Sequence, residues 1–443
     1  MKILSLFDGM ACGMIAMLNA GIEVESYDAY EIDKYAIKVS THNFPTIQQH
    51  GDVFEADFTQ YEGVDFLIGG SPCTYWSIAQ KNNRETEASG MGWELFCQYV
   101  RAVKEAKPKF FIYENNKSMS AAIRESIDRA FGFEAVHINS ALVSAQNRQR
   151  LYWVGMRNPD GTYSKVPVEQ PEDRGILLRD VLESCVTEQA YEMQTITTNP
   201  VRIPEYGVEN KSRPVTACYA YKGSGEGSLL SEAFPENPNK QVRDYVAEPI
   251  RIGDVGSTAQ AHRVYSCDGK SVTINAGGGG QGGKTGLYAV PINITEDGKS
   301  QTIKAQYSFT NIPNICCYNS TYGATGVAMP TDEPPSEQFT GSGKDQNAMK
   351  RVYEVRDGKI TIKGKQYPIK LADGHYIIRK LTVKECMRLQ TVPEWYDFSV
   401  ISNSQAYKCL GNGWTCDVIT HLINAAQTAG RKKWLDDLLG DCL

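Results

Sequence analysis

No apolar run in this 443-residue chain approaches the roughly 18 residues that a membrane-crossing helix requires, so it reads as a protein without a membrane span. A secretory leader is not expected either: Met1–Phe7 is apolar, but Asp8 and Gly9 cut it short, and it reads as a first strand. Cys-x-x-Cys pairs are absent among the 12 cysteines, and adjacent Cys316 and Cys317 do not suit a tetrahedral zinc site. No metal is expected, and scattered thiols point to the reduced cysteines of a cytoplasmic protein. Net basic charge is lacking too. At a formal charge of −6, any phosphate-binding face has to be a local basic stripe. Gly-x-Gly-x-x-Gly does not follow the first strand, where Gly9-x-x-x-Gly13 stands instead, and nicotinamide binding is disfavoured.

What is present divides the chain. Residues 1–155 alternate strand-like runs (Lys2–Phe7, Val24–Ala29, Phe66–Gly69, Phe110–Tyr113, Ala135–Asn139, Leu151–Gly155) with helical patterns at Gly13–Ala20, Lys34–Asn43, Trp93–Ala106 and Ser120–Phe131. That alternation predicts an α/β fold with a mostly parallel, doubly wound sheet. Residues 157–375 turn β-like and rich in Gly, Thr, Asn and Pro, and helical patterns return at Thr382–Gln390 and Asp417–Leu439. A phrase recurs in the middle as Gln194–Asn199, Arg213–Ala217, Lys270–Ala276 and Lys299–Ala305, twice introduced by Asp-Gly (268–269 and 297–298). Asp-Gly is a hairpin signal, so repeated hairpins are expected there. Gly278–Thr285 fits the phosphate-loop pattern, but the β-like Leu287-Tyr288-Ala289-Val290-Pro291 follows where a helix is needed, which argues against an ATPase.

The candidate chemistry sits at strand ends, where open α/β sheets place their sites. Phe66–Gly70 breaks into Ser71-Pro72-Cys73, presenting a thiol on a stiff turn, and a thiolate is a strong nucleophile. Phe7-Asp8-Gly9 closes the first strand and leads through Gly13 into an apolar helix, so a ligand can approach the backbone closely. Glu31-Ile32 and Asp52-Val53 follow the next strands, and their carboxylates are either caps or solvated acids or, as their regular order at successive strand ends favours, placed for ribose hydroxyls and an adenine amino group. Glu114 ends another apolar strand, placed either to give or hold a proton or to cap a helix. Arg148 and Arg150 alternate on an extended segment and are expected to point the same way, to hold an anion or carbonyl oxygen or to pair with surface acids.

These blocks, in this order, resemble the cytosine-5 DNA methyltransferases of the bacterial and phage type: Phe7-Asp8-Gly9, Glu31, Asp52, Ser71-Pro72-Cys73, Glu114-Asn115 and Gln146-x-Arg148-x-Arg150. The likeness resumes at Arg379-Lys380-Leu381-Thr382-x-x-Glu385-Cys386-x-Arg388-Leu389-Gln390 and at Leu410-Gly411-Asn412-Gly413. Leu4–Gly9 and Gly69–Cys73 are worded most like the de novo branch. Thr74 stands where many bacterial members have Gln, Asn116 where Val is usual, and Gly413 where Ser or Ala is common.

The resemblance implies a Rossmann-like S-adenosyl-L-methionine-binding domain (1–156 and 400–443) and a smaller β-rich target-recognition domain (157–399, including the returning segment 378–399). It implies that Cys73 attacks carbon 6 of a cytosine flipped out of double-stranded DNA, while Glu114 stabilises the protonated ring nitrogen and Arg148 holds the exocyclic oxygen, with Arg150 beside them. It also implies a cofactor pocket made by Phe7, Asp8, Gly9, Gly13, Glu31, Ile32, Asp52, Val53, Pro72, Asn412 and Gly413, in a monomeric enzyme. A tRNA cytosine methyltransferase and a catalytically dead DNA-binding module are the rival readings. The long middle region weighs against the first, and the presence of both Cys73 and Glu114 against the second.

Overall fold

Apolar runs of four to seven residues bounded by Gly, Asp and Asn are too brief for helices, and the structure forms strands from them. A computed structural model describes residues 1–77, 84–183, 248–254, 263–274, 287–292, 352–362, 365–371 and 373–440. Contacts divide the chain into two units, residues 1–176 with 386–443, and residues 177–385. Segments 157–176 and 386–399, expected in the middle domain, therefore group with the first unit.

In the first unit, β1 (Lys2–Leu6), β2 (Ser26–Tyr30), β3 (Gln48–Gln49), β4 (Phe66–Gly69), β5 (Phe110–Asn116), β6 (Val136–Asn139), β7 (Gln149–Arg157) and β8 (Tyr163–Lys165) make one sheet. Its order is β3-β2-β1-β4-β5-β7-β6, with β8 added to β7. Pairings from β3 through β5 are parallel, while β7 runs antiparallel to β5, β6 and β8. The strand order reverses between β1 and β4, which opens a crevice beyond their carboxyl ends. Phe7-Asp8-Gly9 and Ser71-Pro72-Cys73 leave the sheet at that point.

Helices α1 (Cys12–Asn19), α2 (Lys34–Asn43), α3 (Met91–Ala106) and α4 (Ala121–Phe131) connect these strands. Asp33 caps α2 by accepting from the Tyr35 amide, Ser120 caps α4 through Ile123, and Gly132 ends α4 in the left-handed region (φ 84°). An aromatic core of Phe96, Tyr99, Phe111, Tyr113, Phe131 and Trp153 lies among α3, α4 and β5, with Phe111–Phe131 and Tyr99–Tyr113 centroids each 4.8 Å apart. Such ring pairs contribute about 0.5–1.5 kcal/mol each beyond burial.

The second unit holds α5 (Leu178–Val181), β9 (Arg251–Asp254), β10 (Arg263–Ser266), β11 (Leu287–Ile292), β12 (Val352–Arg356), β13 (Lys359–Ile362), β14 (Lys365–Pro368) and β15 (Gly374–Arg379). Its sheet runs β14-β13-β12-β15-β11-β10-β9, antiparallel except for β10 with β11. The Asp268-Gly269 turn is present, but the hairpin expected from it is not. The ladder of β10 goes to β9 and β11, and the Gly269 carbonyl accepts from the Leu178 amide. Asp-Gly turns do join antiparallel neighbours at Asp160-Gly161, between β7 and β8 with Gly161 at φ 85°, and at Asp357-Gly358, both at positive φ (51° and 66°), which joins β12 to β13 with Arg356 opposite Lys359. Segments 194–199, 213–217 and 299–305, and the Gly278–Thr285 motif, lie outside the described residues; the residues after that motif form β11 and not a helix.

Helix α6 (Val383–Leu389) starts in a capping box, with Thr382 Oγ1 accepting from the Glu385 amide (3.1 Å) and Glu385 Oε2 accepting from the Thr382 amide (2.8 Å). That box is the physical content of Thr382-x-x-Glu385. Helices α7 (Asn403–Asn412) and α8 (Cys416–Gly440) complete the first unit, α8 packing on α1.

Candidate active site

Cys73 opens a single 3₁₀ turn, Cys73–Tyr75, with exposed Pro72 before it and fully buried Trp76 after it. Its carbonyl accepts from the Trp76 and Ser77 amides (3.2 and 2.9 Å) and from Asn116 Nδ2 (3.4 Å). On the other side, Ser71 Oγ lies 2.6 Å from Tyr113 Oη, and Asn115 Nδ2 donates to the Ser71 carbonyl (3.1 Å). The end of β5 therefore holds the Cys73 turn. Asn116, which replaces the usual Val, contributes one of those bonds.

Glu114 is buried (8% exposed) one strand away. Its Oε2 accepts from Trp414 Nε1 (3.0 Å), and its Oε1 lies 2.8 Å from Arg150 Nε. That ion pair is not aligned as a hydrogen bond, so Oε1 keeps acceptor capacity in a buried position. The carboxylate fits because residue 70 is glycine: a Cβ there would stand 2.9 Å from Oε2 and 2.8 Å from the Glu114 carbonyl.

The two arginines do not act alike, contrary to the expectation from their alternation. Arg148 precedes the first residue of β7 and is buried (3% exposed). Its Nη2 donates to the Gly413 carbonyl (2.8 Å), and both terminal nitrogens reach the Gly411 carbonyl (3.4 Å). Burial and then the like charge of Arg150 push its pKa down, while Glu114 and Cys73 pull it up. Its guanidinium thus ties the α7–α8 loop to the site, and Arg150 stands beside the carboxylate.

On the other edge of the crevice, Phe7 (φ 57°), Gly9 (φ 61°) and Ala11 (φ 61°) are all left-handed. For Phe7 and Ala11 this costs about 1–2 kcal/mol each, which the surroundings must offset. Glu31 Oε2 accepts from the Gly9 amide, and its Oε1 from the Ile32 and Asp33 amides, each at 2.8 Å. Tyr396 Oη donates to the Met10 carbonyl (2.6 Å). Asp8 is buried, with Ser5 and Tyr27 hydroxyls both donating to Oδ1 (2.7 Å) and Oδ2 without a partner. Burial pushes its carboxyl up to about 7, against those two bonds.

Asp52 caps the turn Val53–Glu55 by accepting from the Phe54 amide (3.0 Å), and Ile32 is 73% exposed beside Glu31. Val53 has its side chain in the core, and Arg101 on α3 donates to the Val53 and Ala56 carbonyls (2.8 and 2.9 Å). Gly13 acts through packing: a Cβ there would meet Ile68 Cδ1 at 2.2 Å and Tyr27 Oη at 2.7 Å. Asn412 is exposed at the end of α7. Gly413 has little room for the usual Ser or Ala, since a Cβ would lie 3.1 Å from both Cys12 Sγ and the Cys409 carbonyl.

Sequence reasoning missed Trp414, Tyr113, Asn116, Arg101 and Gln390 as parts of this assembly. Gln390 is fully buried, donating to the Leu410 carbonyl (2.7 Å) and accepting from Thr415 (2.9 Å). Three of them carried a signal: Trp414 directly follows the Gly411-Asn412-Gly413 turn, Asn116 departs from the usual Val, and Gln390 closes the Arg379–Gln390 block.

An α/β sheet thus carries a thiol, a buried carboxylate and an arginine on one side of its switch point and tethered carboxylates on the other, the place where open α/β sheets hold their ligands. The profile of the C-5 cytosine-specific DNA methylases matches residues 1–428, and the chain belongs to that family. It is 26% identical to the orphan methyltransferase M.Rho11sI of Bacillus phage rho11s, over 95% of this chain and 96% of that protein. The type II methyltransferase M.HhaI of Haemophilus parahaemolyticus is 24% identical over 66% of this chain and 78% of its own length. Among solved structures, a protein described as a DNA modification methyltransferase from an E. coli prophage aligns over 97% of this chain and 99% of its own, with a TM-score of 0.50 at 14% identity, a likeness of fold.

Proposed function

We propose that this protein methylates carbon 5 of a flipped cytosine in double-stranded DNA, with Cys73 as nucleophile and Glu114 as the acid. The observation that carries this reading is the buried Glu114 carboxylate, paired with Arg150 and Trp414 at the end of β5, next to the strand that delivers Cys73. Cytosine carbon 5 is too weak a nucleophile to take a methyl group unaided. The Cys73 thiolate forms a bond to carbon 6, and Glu114 gives a proton to ring nitrogen 3 as the electron pair moves into the ring. Carbon 5 then has enamine character. When bound, S-adenosylmethionine supplies the electrophilic methyl group. Once carbon 5 carries the methyl group, the nitrogen-3 proton returns to Glu114; loss of the carbon-5 proton to a base then breaks the C6–S bond, returns the thiolate to Cys73 and restores the aromatic ring. Arg150 fixes the Glu114 carboxylate and offers its guanidinium to the exocyclic oxygen.

The residues suit such a cofactor. Glu31 retains lone pairs for ribose hydroxyls after accepting three amides, Asp8 Oδ2 is buried without a partner, and Phe7 offers a ring at the crevice. Asp52, Ile32 and the backbone of Val53 would hold the adenine, with Pro72, Asn412 and Gly413 closing the pocket. Residues 177–385 would read the target sequence, and base chemistry inside a duplex requires flipping.

The test is transfer from methyl-labelled cofactor to mixed-sequence duplex DNA, with tRNA in parallel and modified positions mapped by bisulfite sequencing. Label at carbon 5 of DNA cytosines, with affinity falling as salt rises, is expected. Label in tRNA alone would replace this reading with the RNA one.

A further inference from the structure

The machinery above explains what lies below and before Cys73, but not what holds the far side of its turn. Trp76 is fully buried, and a buried indole N–H needs an acceptor. That acceptor is Glu85 Oε2, at 3.0 Å. The other oxygen, Oε1, accepts from the Gly92 amide (3.1 Å) in the first turn of α3. A carboxylate there is favoured by the unpaired amides and partial positive charge of a helix start, and Gly90 at the cap position offers no side chain of its own. The Glu85 amide donates to the Tyr75 carbonyl (2.9 Å), so residue and turn are joined twice.

Two glycines make room for this carboxylate. A Cβ at Gly92 would lie 2.6 Å from Glu85 Oε2 and 2.6 Å from Trp76 Nε1, and one at Gly90 would lie 2.6 Å from Glu85 Oε1. Arg84 extends the clamp. Its Nε donates to the Trp76 carbonyl (3.1 Å) and its Nη2 to the Ser118 carbonyl (2.6 Å). Ser118 Oγ in turn donates to Asn116 Oδ1 (2.7 Å), and Asn116 Nδ2 to the Cys73 carbonyl (3.4 Å). With the Trp76 amide on that same carbonyl, the contacts close into a ring around the Cys73 turn.

We infer that Glu85 is a positioning residue for Cys73: it pins Trp76 to α3, and with Arg84 fixes where the thiol stands. This rests on the reading of Cys73 as nucleophile. It requires no contact between Glu85 and substrate or cofactor.

The experiment follows covalent trapping of Cys73 on a duplex in which 5-fluorocytosine replaces cytosine throughout. Trapping is read as a rate by denaturing electrophoresis, in the presence of S-adenosylmethionine, while S-adenosylhomocysteine affinity is measured separately by calorimetry. Glu85→Ala is expected to slow trapping by about 10- to 100-fold, the scale of a misplaced reacting group, with cofactor-product affinity unchanged. Glu85→Gln keeps the shape and one acceptor oxygen, and should fall between the variant and the wild type. Trapping at the wild-type rate in Glu85→Ala overturns the proposal, as does a loss of S-adenosylhomocysteine affinity matching the loss of rate. If Glu85→Ala does not fold, Glu85→Gln decides alone: slowed trapping with intact affinity supports the role, and wild-type trapping ends it. Absence of any adduct in the wild type would overturn the Cys73 reading itself, and this one with it.

Discussion

The two edges of the crevice are built by different means. On the proposed cofactor edge, at the ends of β1 to β3, shape is stored in the backbone: Phe7, Gly9 and Ala11 are left-handed, and Glu31 gathers three amides. On the proposed reacting edge, at the ends of β4 and β5 and the start of β7, no described residue from Ser71 to Trp76 has positive φ. Position there comes from side chains, with Tyr113, Asn115, Asn116 and Glu85 each supplying a bond to the turn or to Trp76. A strained backbone held by many contacts makes a fixed receptor for a ligand that does not vary. A side-chain network can be altered one group at a time, so the two edges should fail separately.

The largest break is expected from Cys73→Ala, which should abolish methyl transfer and covalent trapping while S-adenosylhomocysteine still binds. An equal loss of binding would show that the edges are not separable. Glu114→Gln should lower single-turnover transfer by about 10²–10⁴, the usual reach of a positioned acid, again with cofactor affinity kept. Glu31→Ala should do the reverse. Freeing the Gly9, Ile32 and Asp33 amides removes charged hydrogen bonds of about 1.5–3 kcal/mol, enough for a tenfold to hundredfold loss of S-adenosylhomocysteine affinity in titration calorimetry. Trapping on 5-fluorocytosine DNA at saturating S-adenosylmethionine should survive in that variant.

The smallest effect is sought in the melting temperature at Asp8, where pH sharpens the contrast. Burial raises its carboxyl from 3.8 to about 7, so the folded state binds this proton more tightly than the unfolded state does. Its contribution is neutral below about pH 4, turns unfavourable as pH rises towards 7, and stays so above. Asp8→Asn should therefore gain melting temperature over the wild type between pH 5 and pH 8. A gain independent of pH would contradict the assignment.

Much of the scaffold was legible because its signals are local. Lys34–Asn43 and Phe66–Gly69 have the bounds that their patterns predict, and the helix expected at Thr382–Gln390 is Val383–Leu389, with Thr382 as its cap. β3, with two residues, and β8, with three, are too short for a periodicity to register, and both are held by their neighbours in the sheet. The same Asp-Gly dipeptide misled at 268–269 and passed unnoticed at 160–161 and 357–358. Only the latter two pairs lie between strands that are antiparallel neighbours, and a dipeptide does not state its neighbours. Glu31 and Glu114 were located at strand ends, but not what each would bind.

By itself the sequence determined the strand-turn-helix grammar, the switch point where a thiol and a glycine turn leave adjacent strands, and the family to which these blocks belong. Tertiary structure alone decided which arginine attends the carboxylate. Arg148 and Arg150 are two residues apart and chemically identical. One is drawn to carbonyls at Gly411 and Gly413, and the other to Glu114. Hydrogen-bond partners more than 260 positions away in the chain set that choice, and no local pattern encodes a partner brought close only by folding.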